Sequence, residues 1–151
     1  MMKRKLYLLV IIGLFTASAC TDVTMVQPTP GGPTIDFVDI QPRTIREFQD
    51  SITITISYKD PDGDLGHVDP DINLITVHDL RLAKKDEYHV PLLAPTGSSI
   101  TIEGQLEIKL KNTFLLGSGA SEQTSYEVVM KDRAGNISNP ILTDNVTITR
   151  E

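Results

Sequence analysis

From Thr34 onward the rhythm of apolar and polar positions has a period of two residues, not 3.6. Ile52, Ile54, Ile56 and Tyr58 alternate with Thr53, Thr55, Ser57 and Lys59, which sends apolar side chains to one face of an extended segment and polar ones to the other. Ile100, Ile102, Leu106, Ile108 and Leu110 repeat the pattern against Thr101, Glu103, Gln105, Glu107 and Lys109. Gly104 takes the one missing apolar position and predicts a bend or bulge. Tyr126, Val128 and Met130 make a third such face, and Val146 with Ile148 a fourth. Less regular runs at 35–40, 72–80 and 88–92 bring the set to about seven strands. No amphipathic helix of useful length is predicted; residues 80–87 have room for one or two helical turns. Short strands with one apolar face each predict an all-β antiparallel two-sheet sandwich, with a closed barrel as the alternative.

A different pattern precedes the strands. Lys3, Arg4 and Lys5 lead into an apolar run from Leu6 to Phe15, then small residues and Cys20. About ten apolar residues span only ~15 Å as a helix, half of a ~30 Å hydrocarbon core, so the run reads as an export signal and not as a membrane span. The tetrad Ala17-Ser18-Ala19-Cys20 resembles the lipobox of bacterial lipoproteins. That resemblance implies that cleavage makes Cys20 the first residue, its thiol carrying diacylglycerol and its amine usually acylated. Two or three acyl chains anchor stably where one is marginal. Thr21 to Pro33 carries three prolines and two glycines without periodicity, the composition of a tether. The expected organisation is a lipoprotein signal peptide over 1–19, a lipidated cysteine and Pro/Gly-rich tether over 20–33, and the sandwich over 34–151.

Composition narrows the function. With 40% hydrophobic and 23% charged residues the chain lies in the globular range. Its formal charge of −6 includes Lys3, Arg4 and Lys5; without the leader, eleven basic residues face twenty acidic ones. Such a surface has no basic surplus with which to displace counterions from nucleic acid. A single cysteine excludes an intrachain disulfide, and once lipidated it is no nucleophile. There is no G-x-S-x-G, and His67, His78 and His89 stand eleven residues apart, which matches no zinc signature. No tryptophan offers a sugar-stacking platform beside paired carboxylates, so an enzyme is not expected.

The candidate chemistry is acidic. Asp60-Pro61-Asp62-Gly63-Asp64-Leu65-Gly66, continued by Asp69 and Asp71, places five carboxylates within twelve residues. Alternate aspartates in a turning loop can converge oxygens on Ca²⁺, which accepts six to eight of them. Spacing at loop positions 1, 3, 5 and 12 imitates an EF-hand, but Leu65 stands where that loop demands glycine, and the flanks read as strands. The same residues also suit a simple solvated turn. A second segment, Asp132-Arg133-Ala134-Gly135-Asn136, reads as a hairpin with Gly135 or Asn136 at positive φ. Asp79 and Arg81 stand two apart and suit a weak pair on one strand face.

The stretch ITITISYKDPDGDLG, with MKDRAGNISN downstream, resembles bacterial immunoglobulin-like and cadherin-like domains, and with the lipobox it resembles Bacteroidota envelope lipoproteins. In an immunoglobulin-like topology the loops after Tyr58 and Met130 emerge at one end. The resemblance therefore implies that Asp132 joins Asp60, Asp62 and Asp64 in a metal site, with His67, Asp69, Asp71, Arg133 and Asn136 as a surrounding platform. The expected protein is a lipid-anchored, non-catalytic interaction or structural module of the cell envelope, at the outer membrane and calcium-stabilised. Its expected partners are the membrane through Cys20 and an envelope protein or extracellular ligand. The alternative is a ligand-binding accessory of glycan or peptide uptake, which an exposed cluster of Tyr58, Tyr88 and Tyr126 would favour.

Overall fold

A computed structural model describes residues 27–150; the leader, Cys20 and the first part of the tether lie outside the described residues. Ten strands form: β1 (Thr34–Gln41), β2 (Thr44–Arg46), β3 (Ile52–Asp60), β4 (Asn73–Asp79), β5 (Asp86–His89), β6 (Ile102–Leu110), β7 (Ser121–Thr124), β8 (Tyr126–Met130), β9 (Ile141–Leu142) and β10 (Val146–Thr149). There is no helix among the described residues, and the 80–87 stretch turns directly into β5.

The fold is an all-β sandwich. One layer runs β1-β3-β6, antiparallel throughout. The opposing layer combines the ladder β5-β4-β8-β9 with the ladder β2-β10-β7, in which β2 runs parallel to β10. Ser125 alone separates β7 from β8, and residues 143–145 separate β9 from β10, so the two ladders continue one another. Thr143 stitches that junction: its N–H donates to the Tyr126 carbonyl at 2.9 Å and its Oγ1 accepts from the Tyr126 N–H at 3.0 Å. Every sheet keeps open edges, so the barrel alternative does not hold.

Period-two alternation drives this arrangement. Ile52, Ile54 and Ile56 are fully buried on the inner face of β3 and share one core with Val128, Met130, Val146 and Ile148 from the opposing layer. Each such side chain contributes roughly 1.5–3 kcal/mol when removed from water. The strands expected from the four clearest faces all form. Two local expectations change. Ile100 lies outside β6 and is 55% exposed. Gly104 makes no bulge: β6 stays in unbroken register with β3 from Ile102 to Leu110. Gly104 is opposite Tyr58, and a Cβ there would come within 3.1 Å of the tyrosine ring, so the glycine makes room for an aromatic side chain lying across it.

The strand count exceeds seven because β2, β7 and β9 have only two to four residues, too few to show alternation. The end of the tether is tied down. Thr29 donates its N–H to the Ile137 carbonyl at 2.8 Å, and its Oγ1 accepts from the Ile137 N–H at 2.9 Å. Asn139 then clips β1 to the segment before β9, accepting from the Ile35 N–H at 3.0 Å and donating to its carbonyl at 2.8 Å.

Candidate metal centre

Parity along β3 builds the site. Asp60 continues the inward set of Ile52, Ile54, Ile56 and Tyr58, so the last residue of the strand delivers a carboxylate to the end of the core, where it is 0% exposed. The chain then reverses. Gly63 has φ +73°, and a Cβ on it would lie 2.3 Å from the Ile100 carbonyl oxygen; Gly66 has φ +85° and sits against the Pro91 carbonyl. Both positions require glycine for conformation and for space. Leu65, between them, is fully buried and pins the loop to the core.

The loop holds its own carboxylates. The Leu65 N–H donates to Asp60 Oδ2 at 3.1 Å, leaving Oδ1 buried without a donor. Across the end of the sandwich, the Ala134 N–H donates to Asp64 Oδ2 at 3.0 Å, and Asp64 Oδ1 is likewise buried and unpartnered. Asp132, 1% exposed, is gripped by Asn136, whose backbone N–H reaches Oδ1 and whose side-chain Nδ2 reaches Oδ2, both at 2.8 Å. Gly135, at φ +92°, closes that turn. Asp62 completes the group from the exposed side of the loop.

The result is a convergence of four side chains. Asp60, Asp62, Asp64 and Asp132 each offer an oxygen, and all four atoms lie within 4.8 Å of one another. This cluster can hold a metal ion. Oxygens on opposite sides of a cation with ~2.4 Å bonds stand ~4.8 Å apart, and carboxylates are hard donors. Without a cation the cluster opposes its own ionisation. Burial, then the Asp62 charge, pushes the Asp60 carboxyl up to about 6, although the Leu65 hydrogen bond pulls the other way. Burial and the neighbouring charges of Asp132 and Asp62 raise Asp64 as well. Two buried carboxylate oxygens with no hydrogen-bond donor are costly, and a cation is the partner that their charge calls for.

The surrounding platform separates into two kinds of residue. Asn136 orients Asp132. Arg133 spends its guanidinium on main-chain carbonyls, donating from Nη1 to Gly66 at 3.0 Å and Leu65 at 3.4 Å, which fastens one loop to the other. His67, Asp69 and Asp71 are outside the convergence. His67 Nδ1 accepts from the Asp69 N–H and Asp69 Oδ1 from the Asp71 N–H, both turn-forming bonds, and the two aspartates are exposed. Tyr58, Tyr88 and Tyr126 form no exposed aromatic surface, since Tyr126 is 3% exposed.

The far end of the sandwich carries a polar cluster that residue spacing understates. Arg81 pairs with Asp79 at 2.7 Å and Glu122 at 2.9 Å, and donates to the Phe114 carbonyl at 3.0 Å. The Arg81 and Asp79 side chains are only 13% and 10% exposed, so the weak surface pair expected from their spacing is a mostly buried network. Thr124 Oγ1 donates to Asp79 at 2.6 Å. Burial raises the Asp79 pKa, but the bonds from Arg81 and Thr124 outweigh it and leave the carboxyl below its usual range. Nothing local in the sequence marks Glu122 or Thr124 as partners, because they arrive from β7.

The chain matches no protein-family model, no curated protein and no solved structure.

Proposed function

We propose that this protein is a lipid-anchored, non-catalytic interaction or structural module of the bacterial cell envelope, in an outer membrane, whose β3–β4 and β8–β9 loops are locked together by Ca²⁺. The observation that carries the reading is the pair of buried, donorless oxygens on Asp60 and Asp64, two of the four aspartates that converge within 4.8 Å. Calcium suits the site better than magnesium, because its flexible six-to-eight-oxygen shell accepts an irregular cage and leaves room for main-chain or water oxygens. The role is structural: the cation joins two loops that emerge from different strands.

Two further features support the reading. The strand order β1-β3-β6 facing β5-β4-β8-β9, with β2 parallel to β10, agrees with the immunoglobulin-like resemblance. The basic, apolar and small-residue segments ending at Cys20 support the anchor.

Melting curves in calcium, magnesium and sodium chlorides at matched ionic strength test the function. With a Kd of order 10⁻⁴ M, as in extracellular calcium modules, 10 mM calcium adds about 2.7 kcal/mol. That corresponds to a rise of roughly 10 °C for a domain of this size. Asp62→Asn should remove most of it. Equal shifts in all three salts would reduce the cluster to an acidic turn.

A further inference from the structure

The sandwich has several open strand edges, and all but one are blunted. β2, β5, β7 and β9 are two to four residues long, and β1 carries a register irregularity between Phe37 and Asp39. β6 is different. It is nine residues long, pairs with β3 alone, and keeps continuous register over its whole length. Among the described residues no main-chain hydrogen bond reaches β6 from anywhere but β3. A long, regular, unbulged edge is a template for strand addition.

The outward side chains of β6 say which strand fits. Along the exposed face they run Glu103, Gln105, Glu107, Lys109, so the acidic charge lies toward the start of the strand and the basic charge at its end. Neither Glu103 nor Lys109 makes an ion pair among the described residues. Such a gradient is complementary to itself when reversed. Two antiparallel copies of β6 related by a two-fold axis at Leu106 place Glu103 opposite Lys109 of the second copy, twice by symmetry, and Gln105 opposite Glu107. Moving the axis to Glu107 sets that carboxylate against itself; moving it to Gln105 sets Glu103 against Glu107. Registers shifted by an odd residue put an inward side chain opposite an outward one and break the shared face. Moving it to Ile108 pairs Glu107 with Lys109 but leaves only five residues of each β6 in the ladder, so charge pairing together with full nine-residue overlap selects the Leu106 register.

We propose that β6 is a self-association edge, through which two copies of this chain join their β1-β3-β6 layers into one six-stranded sheet with the two-fold axis at Leu106. The main-chain bonds supply the attraction, and the Glu103–Lys109 pairs set the register. This surface is separate from the acidic site and does not depend on a cation.

The test uses the full chain in detergent micelles, with the protein mass followed by sedimentation and β6 amide exchange followed in parallel. The wild-type chain should dimerise with rising concentration, with β6 amides gaining protection as it does. Glu103→Lys should weaken the dimer about tenfold by opposing like charges at both symmetric positions. Lys109→Glu should do the same, although it also brings a carboxylate near Asp86 and Glu87, which line the same surface depression. An equimolar mixture of the two variants should recover wild-type affinity, because each then supplies the charge the other lacks. That recovery separates charge pairing from damage to the fold. A chain that stays monomeric at millimolar concentration overturns the proposal, as does a Glu103→Lys dimer of undiminished affinity or a mixture that fails to recover. Protection of β6 only on adding an extended peptide from another protein would also overturn it, assigning the edge to a different occupant.

Discussion

A single carboxylate decides most of the chemistry at this end of the molecule. Asp60 occupies the next inward position after three buried isoleucines and Tyr58, and its Oδ1 has no donor. Asp60→Asn therefore has opposite effects in two solutions. In chelator the variant removes a buried charge repelled by Asp62 and Asp64, keeps an oxygen to accept from Leu65, and gains an NH₂ that can donate to a neighbouring carboxylate. We expect its melting temperature to exceed wild type by a few degrees, about 1 kcal/mol. In 10 mM calcium the order reverses, because the variant loses a charged ligand. A variant that is less stable than wild type in both solutions would mean that Asp60 is a structural hydrogen-bond acceptor only. The depth of Asp60 was legible in the sequence as parity, through the run 52, 54, 56, 58, 60, but its Asp-Pro context reads as an exposed turn. The convergence of Asp132 with the loop was legible through topology. The Asn136 bonds to Asp132 belong to the hairpin that the Asp132–Asn136 run marks, but the Ala134 donor that holds Asp64 was not legible, because it comes from seventy residues away and depends on where that hairpin lands.

At the scale of elements, β3 is the test of one-sided burial, since it lies between β1 and β6 with its inner face in the core. Ile54→Asp places a carboxylate among fully buried side chains and should prevent folding, seen as loss of a cooperative melting transition. The outward neighbour Thr55 faces Asp39 on β1 and Glu107 on β6, so lysine is the apt substitution there. Thr55→Lys should change stability by less than ~0.5 kcal/mol or raise it slightly. Comparable loss from both variants would mean that the outer face is also buried. Strands with complete apolar faces were readable from alternation alone, whereas β2, β7 and β9 are held by neighbours more than by their own sequence. The Arg81 network belongs to this scale too, joining the turn after β4 to β7 and to the loop bearing Phe114. Arg81→Ala should cost about 3 kcal/mol in urea unfolding, because it leaves the mostly buried Asp79 without its cation. A loss below 1 kcal/mol would place the network in bulk-like solvent.

The two polar clusters sit at opposite ends of the sandwich, and their titrations pull the whole molecule in opposite directions. Asp60 has its carboxyl raised from 3.8 to about 6 in the folded state, so the unfolded chain releases that proton first. Its contribution to stability is complete below pH 3.8 and is lost as pH climbs toward 6. Asp79 is lowered in the folded state, as is Glu122, held down by N–H groups of Leu116 and Gly117 and by Arg81. Their contribution is present above the ordinary carboxyl range, begins to decline within it and is lost as pH falls on through their lowered folded-state values. In chelator the two slopes oppose each other and the melting temperature should peak near the ordinary carboxyl range, about pH 4, falling on either side. Calcium alters only one end. It binds the ionised cluster and displaces its protons, so its stabilising effect should be small at pH 4.5 and close to full by pH 7. The peak then moves toward neutrality while the acid limb, set by Asp79 and Glu122, stays where it was. Calorimetric melting from pH 2 to 8, with EDTA and with 10 mM calcium, measures both limbs. If the two profiles stay parallel across that range, cation binding is not linked to the raised carboxylates and the acidic cluster is not where calcium binds.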